Sequence, residues 1–134
     1  MRENMGLYRG KRIDNGEWVE GCLLHDSEQN ESFIAEHFED RAAYIREVIP
    51  ETVGQYTGLT DKNGKKIFEG DIIVIGNCRE HPVLVKFIEF SWQCVIPNDN
   101  VYIDYRHRLE NNNTRYEVIS NIHDNPELLK GGAE

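Results

Sequence analysis

Three groups of side chains have the types and spacing that chemistry requires. Glu69 and Asp71 flank Gly70, and two carboxylates so close can serve as general acid and base or hold a divalent cation. Cys78-Arg79-Glu80-His81 sets a thiol and an imidazole at a spacing found in zinc sites, and the same two groups could form a Cys–His nucleophile. Tyr102, Tyr105, Arg106, His107, Arg108, Arg115 and Tyr116 interleave bases with aromatics, the chemistry by which barrel surfaces stack single-stranded bases.

A plainer reading stands beside each. An acid–base pair needs pKa values pushed apart, whereas Gly70 readily makes a turn after which Asp71 accepts backbone N–H groups. A structural zinc site needs four ligands, and the further candidates Cys94, His107 and His123 contain no second compact pair. Nothing near Cys78 and His81 reads as a third group to orient the imidazole. The Tyr and Arg residues suit a strand with Tyr inward and Arg outward. The plainer readings are preferred, so no catalytic, cofactor-binding or metal-ligating residue is assigned. The expectation is a protein that is not an enzyme and needs no cofactor.

Charge narrows the partners. The chain of 134 residues carries a net charge of −9, with eight acids against two bases in residues 21–54 and near balance before and just after. Phosphate backbones are bound by clustered Lys and Arg, so duplex nucleic acid is disfavoured, and anionic membrane surfaces for the same reason. No run of residues is long and apolar enough for a membrane span, and Met1-Arg2-Glu3-Asn4 opens no signal-peptide core. Cys22, Cys78 and Cys94, odd in number and far apart, fit thiols of a reducing compartment, and a cytoplasmic location is expected.

The elements that would position these groups are short strands. Residues 7–13 and 17–25 enclose Asp14-Asn15-Gly16, and Asn-Gly between such runs predicts a hairpin with a type I′ turn. A polar connection over 26–32 leads to a strand over 33–38, and residues 41–49 suit an amphipathic helix or a strand equally. Gly58, Gly64 and Gly70 mark turns between residues 55–57, 66–68 and 72–75, and the last, a β-branched run, predicts a strand covered on both faces. Strands over 83–90, 91–96, 101–109 and 116–122 follow, and Asn125-Pro126-Glu127 starts one helical turn. Ile72, Val74, Val85 and Phe87 are the expected barrel core, with Leu128 and Leu129 as its plug. Trp18, Phe33, Phe38 and Tyr44 are expected in the core, with an oligomer contact as the alternative. Glu36, Glu39, Asp40 and Glu47 read as a solvated face, or as one complementary to Arg106 and Arg108 of a neighbouring subunit. This spacing predicts a mainly β protein with barrel or roll geometry, its β-rich residues 1–54 and 55–134 forming two regions or one compact unit.

Gln55-Tyr56-Thr57-Gly58-Leu59, Asp61-Lys62-Asn63-Gly64-Lys65 and Ile67-Phe68-Glu69-Gly70-Asp71-Ile72 together resemble the signature of the YopX family of phage and prophage proteins. Glu117-Val118-Ile119, Asn121-Ile122 and Asn125-Pro126-Glu127-Leu128-Leu129 resemble its C-terminal ending, so the likeness spans residues 50–129. Arg9-Gly10-Lys11 with Asn15-Gly16-Glu17-Trp18-Val19 is similar to one branch of the family. The resemblance implies an SH3-like barrel in the C-terminal part, a phage or prophage origin and self-association, and it assigns no site residue. The expected function is a non-enzymatic interaction or assembly module in the host cytoplasm, forming homo-oligomers and meeting an unknown protein partner. The alternatives are single-stranded nucleic-acid binding through residues 102–116 and a hydrolase using Glu69, Asp71 or His81.

Overall fold

The computed structural model describes residues 6–38, 41–77, 79–88, 91–96, 105–109 and 115–129, and there the chain is mainly β, in two antiparallel sheets. Two compact units divide it, Met1–Tyr56 and Thr57–Glu134.

In the first unit β1 (Leu7–Lys11), β2 (Trp18–Asp26), β3 (Glu31–Phe38) and β4 (Arg41–Val48) form an antiparallel meander. A short 3-10 turn, η1 (Pro50–Thr52), then leads into β5 (Gly54–Thr60), whose start pairs with β1 through Gly54 opposite Arg9. The first hairpin forms as expected, but its turn is not type I′. Only Gly16 enters the left-handed region (φ 76°), while Asn15 instead uses its side-chain Oδ1 to accept the Glu17 N–H at 2.9 Å. Arg12 N–H bonds Glu17 O and Gly16 N–H bonds Arg12 O, closing a four-residue loop.

Residues 41–48 resolve as strand. A helix would bring Ile45, Val48 and Ile49 onto one face, whereas Val48 is fully buried and Ile45 is 61% exposed. Pairing of Val48 with Ser32 and Arg46 with Ile34 imposes the period of two. Val19, Ile34 and Val48 form the core of this unit, with Tyr8, Leu23 and Val53 packed against it.

The second unit holds the rest of β5, then β6 (Lys66–Phe68), β7 (Asp71–Ile75), β8 (Val83–Ile88), β9 (Ser91–Ile96), β10 (Tyr105–Arg108), β11 (Tyr116–Asn121) and a closing 3-10 turn, η2 (Pro126–Leu129). Five strands make a sheet in the order β10-β9-β8-β7-β11. β7 is covered on both faces, as its unbroken β-branched run requires. Ile73 packs with Ile67, Val83, Val85, Cys94, Leu109 and Tyr116 on one side, and Ile72 packs with Leu84 and Val95 on the other.

Ile72, Val74 and Val85 are buried as expected, but Phe87 is not a core residue. It is 50% exposed, because burial on its face of β8 ends at Val85, and its ring meets Trp92 edge-on at 4.9 Å. No closed barrel forms among the described residues. Leu128 and Leu129 are half-buried against the Ile72 side, where they cover a sheet face rather than fill a barrel. Among the described residues no helix is long and apolar enough to cross a membrane.

Candidate interaction surface

The side chains expected to carry chemistry are dispersed. Asp71 is buried and its Oδ2 accepts the Phe68 N–H at 2.8 Å across the Gly70 turn (φ 93°), while Glu69 is half-buried and His81 lies exposed on a loop. Cys78, Tyr102, Glu39 and Asp40 lie outside the described residues, as do the side chains of Phe38, Tyr105, Arg106, His107 and Arg108. Cys94 is fully buried, and that burial pushes its thiol up to about 12. His123 is exposed. Among the described residues no three His, Cys, Asp or Glu side chains gather into a metal-holding group. Tyr116 is 2% exposed, so its ring belongs to the core and presents no face for a base to stack on, whereas Arg115 is exposed.

One heavily bonded carboxylate is a residue that the residue types did not single out. Asp61, 1% exposed, follows β5 and accepts three backbone N–H groups. Its Oδ1 takes those of Asn63 and Lys65, each at 2.9 Å, and its Oδ2 takes that of Val118 in β11, also at 2.9 Å. Beside it Lys62 N–H bonds Tyr116 O. The β5–β6 turn thereby satisfies the edge of β11, with a carboxylate standing where a neighbouring strand's carbonyl would be. Burial works against the charged form of Asp61, but the N–H groups of Val118, Lys65 and Asn63 and the charge of Lys65 more than offset it, so the carboxyl titrates below its ordinary range. An Asx turn at Asp61-Lys62-Asn63-Gly64 was readable from residue types; the tie to Val118 was not.

Nearby, Glu117 accepts from Arg79 Nη1 at 2.7 Å and lies 3.4 Å from Lys62 Nζ. The Arg79 bond first, then the charges of Arg79 and Lys62, hold its carboxyl low. This exposed group is an ordinary surface ion pair.

The first unit presents a different kind of feature. Strand alternation that turns Val19, Leu23, Ile34 and Val48 inward turns another set outward. Register puts Leu7, Cys22, Ala35 and Ile45 in one row across β1 to β4, and Leu24, Phe33 and Glu47 in the next. Leu24 is 46% exposed, Cys22 is exposed, and Leu7, Phe33 and Ala35 are half-buried. The same parity places Glu20, Asp26, Glu31 and Glu47 around these apolar residues. The result is an open apolar sheet face with Asp26, Glu31 and Glu47 toward one end, while Arg9, opposite Glu20, and Lys11, opposite Trp18, lie on the same face toward the other.

The corner of that face at Ile45 and Glu47 is shaped by the chain leaving β1. Ile13 N–H bonds Glu47 O at 3.0 Å and Ile49 N–H bonds Lys11 O at 2.8 Å, so β4 is met there by residues 11–13. Ahead of this bridge no described strand pairs with the outer edge of β4, and Ile45 directs its backbone N–H and C=O outward. An open cleft of about 230 Å³ lies at this corner, lined by Arg12, Ile13, Asp14, Ile45, Arg46 and Glu47. Both guanidinium groups are engaged, Arg12 with Asp14 through two bonds of 3.0 and 2.7 Å and Arg46 with Glu36 at 2.8 Å. The Arg12 bond also holds Asp14 below the usual carboxylate range. At the other end of the face Trp18 lies under Arg9, 4.7 Å from ring centroid to guanidinium carbon, and near Lys11 Nζ at 5.7 Å. Trp18 and Phe33 are therefore half-buried and Tyr44 is exposed, so the expected aromatic core of this region is made of aliphatic side chains instead.

Comparison with known proteins settles the kinship. The profile of the YopX protein family matches residues 7–130, most of the chain. This chain belongs to the YopX family. The crystal structure of protein EF1440 from Enterococcus faecalis is similar in fold, with a TM-score of 0.50 and 23% identity over 91% of this chain and 96% of that one. Protein yopX from Bacillus subtilis aligns with a TM-score of 0.47 and 17% identity, over 95% and 98% of the two chains. No curated protein matches. In this YopX chain the signature residues do structural work: Asp61 and Asp71 hold backbone N–H groups, while Gly58, Gly64 and Gly70 all have positive φ.

Proposed function

We propose that this YopX protein is a non-enzymatic interaction or assembly module of phage or prophage origin, working in the host cytoplasm and self-associating. The reading rests chiefly on the apolar face of β1 to β4, since contiguous exposed apolar area edged by polar groups characterises protein contact sites. Self-association draws support from β4, which ahead of its bridge to residues 11–13 has no paired neighbour on its outer edge among the described residues, because unpaired strand edges accept another chain. The scaffold of the second unit is read as a partly open SH3-like barrel. Light scattering coupled to size exclusion tests the assembly part; a strict monomer at high micromolar concentration removes it. Single-stranded nucleic-acid binding is the weaker reading, as Tyr116 is in the core, and a salt-titrated binding assay that shows nothing at low ionic strength rejects it. A hydrolase using Glu69, Asp71 or His81 is weaker still, since Asp71 is buried and its Oδ2 is engaged by a backbone N–H.

A further inference from the structure

We propose that Asn15-Gly16, at the tip of the first hairpin, is a site of self-modification. In the folded protein the Asn15 amide converts, without an enzyme, to aspartate and isoaspartate, while the chemically identical pair Asn63-Gly64 is held inert by its turn. The inference stands apart from the reading of the protein as an interaction module and does not depend on it. The step is an intramolecular acyl transfer. The deprotonated backbone nitrogen of Gly16 attacks Cγ of Asn15, and the new N–Cγ bond closes a five-membered succinimide. The Cγ–Nδ2 bond breaks, and Nδ2 leaves as ammonia with the proton that the Gly16 nitrogen gave up. Water then opens the ring at either carbonyl carbon, its hydroxyl going to that carbon and its hydrogen to the nitrogen. Opening at Cγ gives aspartate. Opening at the α-carbonyl gives isoaspartate, whose main chain runs through the former side chain and is one carbon longer. The sum is amide and water to acid and ammonia, so water is the sole co-reactant.

Both pairs have the residue types for this chemistry, since a following glycine has no Cβ to crowd the attacking nitrogen, and at Gly16 no atom stands within 4 Å of the place a Cβ would take. Their surroundings differ. Residues 13–17 are all exposed. Asn15 Oδ1 accepts the Glu17 N–H at 2.9 Å, which folds the side-chain carbonyl back over the Gly16 peptide and draws electrons from Cγ. The Gly16 N–H itself is held by a backbone bond to Arg12 O at 3.0 Å, at a solvent-facing hairpin tip where local opening costs little. At the other pair the Gly64 N–H bonds Asp61 O at 3.0 Å, and the flanking N–H groups of Asn63 and Lys65 both end on the buried Asp61 carboxylate. Lys62 N–H is tied to Tyr116 O besides. Freeing the Gly64 nitrogen must therefore disturb a turn anchored to β11, whereas freeing that of Gly16 disturbs the tip alone. The product bears on its surroundings. A new carboxylate beside Asp14 competes for the Arg12 guanidinium, and the cleft lined by Arg12, Ile13 and Asp14 grows more acidic as the chain ages.

The test incubates the full natural chain in buffers from neutral to mildly alkaline pH and follows the Asn15 and Asn63 peptides by mass spectrometry, with fragmentation that separates aspartate from isoaspartate. Expected is conversion of Asn15 to both acids, faster as pH rises because the attacking nitrogen must lose its proton. Asn15 converts about tenfold faster than Asn63, the ratio that a difference of about 1.4 kcal/mol in opening free energy produces. In urea the two rates converge. Asn15→Gln, which would need a six-membered ring, abolishes conversion at that position, and Asp61→Asn speeds Asn63 while leaving Asn15 unchanged. If Asp61→Asn disturbs folding, the comparison of the natural chain with and without urea still decides. An Asn15 that converts in urea but stays an amide in the folded chain overturns the inference, as does an Asn63 that converts as fast as Asn15 in the folded chain. Aspartate without isoaspartate also overturns it, because direct hydrolysis of the amide forms no ring.

Discussion

Replacing Asp61 probes how the second unit is held together. Its carboxylate accepts three N–H groups, and hydrogen bonds to a charged group contribute about 1.5–3 kcal/mol each. Asn63 and Lys65 are exposed, so their N–H groups recover water when the carboxylate is removed; that of half-buried Val118 recovers less. Asp61→Asn keeps an acceptor at Oδ1 and sets an amide N–H against the Val118 N–H, for a loss of about 2 kcal/mol. Asp61→Ala removes all three acceptors, for a loss of about 4 kcal/mol. Urea unfolding followed by Trp92 in a Trp18→Phe background reads this unit, Trp18 and Trp92 being the two tryptophans of the chain. With a urea slope of roughly 2 kcal/mol per molar, the midpoint falls by about 1 M for Asn and about 2 M for Ala at pH 7. The folded carboxyl titrates below its unfolded range, so its stabilisation is complete above about pH 4 and fades as pH falls through the folded value. The natural chain therefore loses stability in that acid window and Asp61→Asn loses less. An Asp61→Asn midpoint within error of the natural one, or an unchanged acid dependence, would refute the idea that this carboxylate substitutes for a strand.

Three further outcomes are expected. Gly21→Ala drives a methyl into the Ala35 carbonyl oxygen, so the β2–β3 pairing must part, and a loss of about 3 kcal/mol or failure to fold is expected in thermal melts. Ile73→Ala empties part of the core and costs about 3 kcal/mol, whereas Phe87→Ala costs about 1 kcal/mol despite removing the larger side chain; chemical denaturation ranks the two. A thiol reagent at pH 8 modifies Cys22 rapidly and Cys94 only on unfolding, because burial keeps Cys94 protonated and out of reach; mass spectrometry of the labelled peptides distinguishes them.

Local chemistry was legible wherever one short segment decides its own shape. Gly16, Gly64 and Gly70 announce turns because glycine adopts positive φ without strain, whereas Gly58, expected as a turn, lies inside β5 with a φ of 92°; Pro126 opens the final turn, and the Ile72–Ile75 run reads as a strand buried on both faces. The motifs around Gln55–Asp71 and Asn125–Leu129 carried the family as well. Period failed at residues 41–49, where helical and strand spacing fit equally and the ladder to β3 settles it. Phe87 misled because alternation shows which way a side chain points, not where the covering layer stops.

Composition and turn chemistry by themselves thus determined a mainly β, acidic chain, and the motifs its resemblance to the YopX family, since charge, glycine placement and β-branched runs are properties of single residues and their near neighbours. Tertiary structure alone decided that Asp61 would secure Val118, and that Leu7, Cys22, Leu24, Phe33, Ala35 and Ile45 from four strands would gather on one open face. Both depend on register between segments distant in sequence, and a shift of one residue would send each of those side chains to the opposite face.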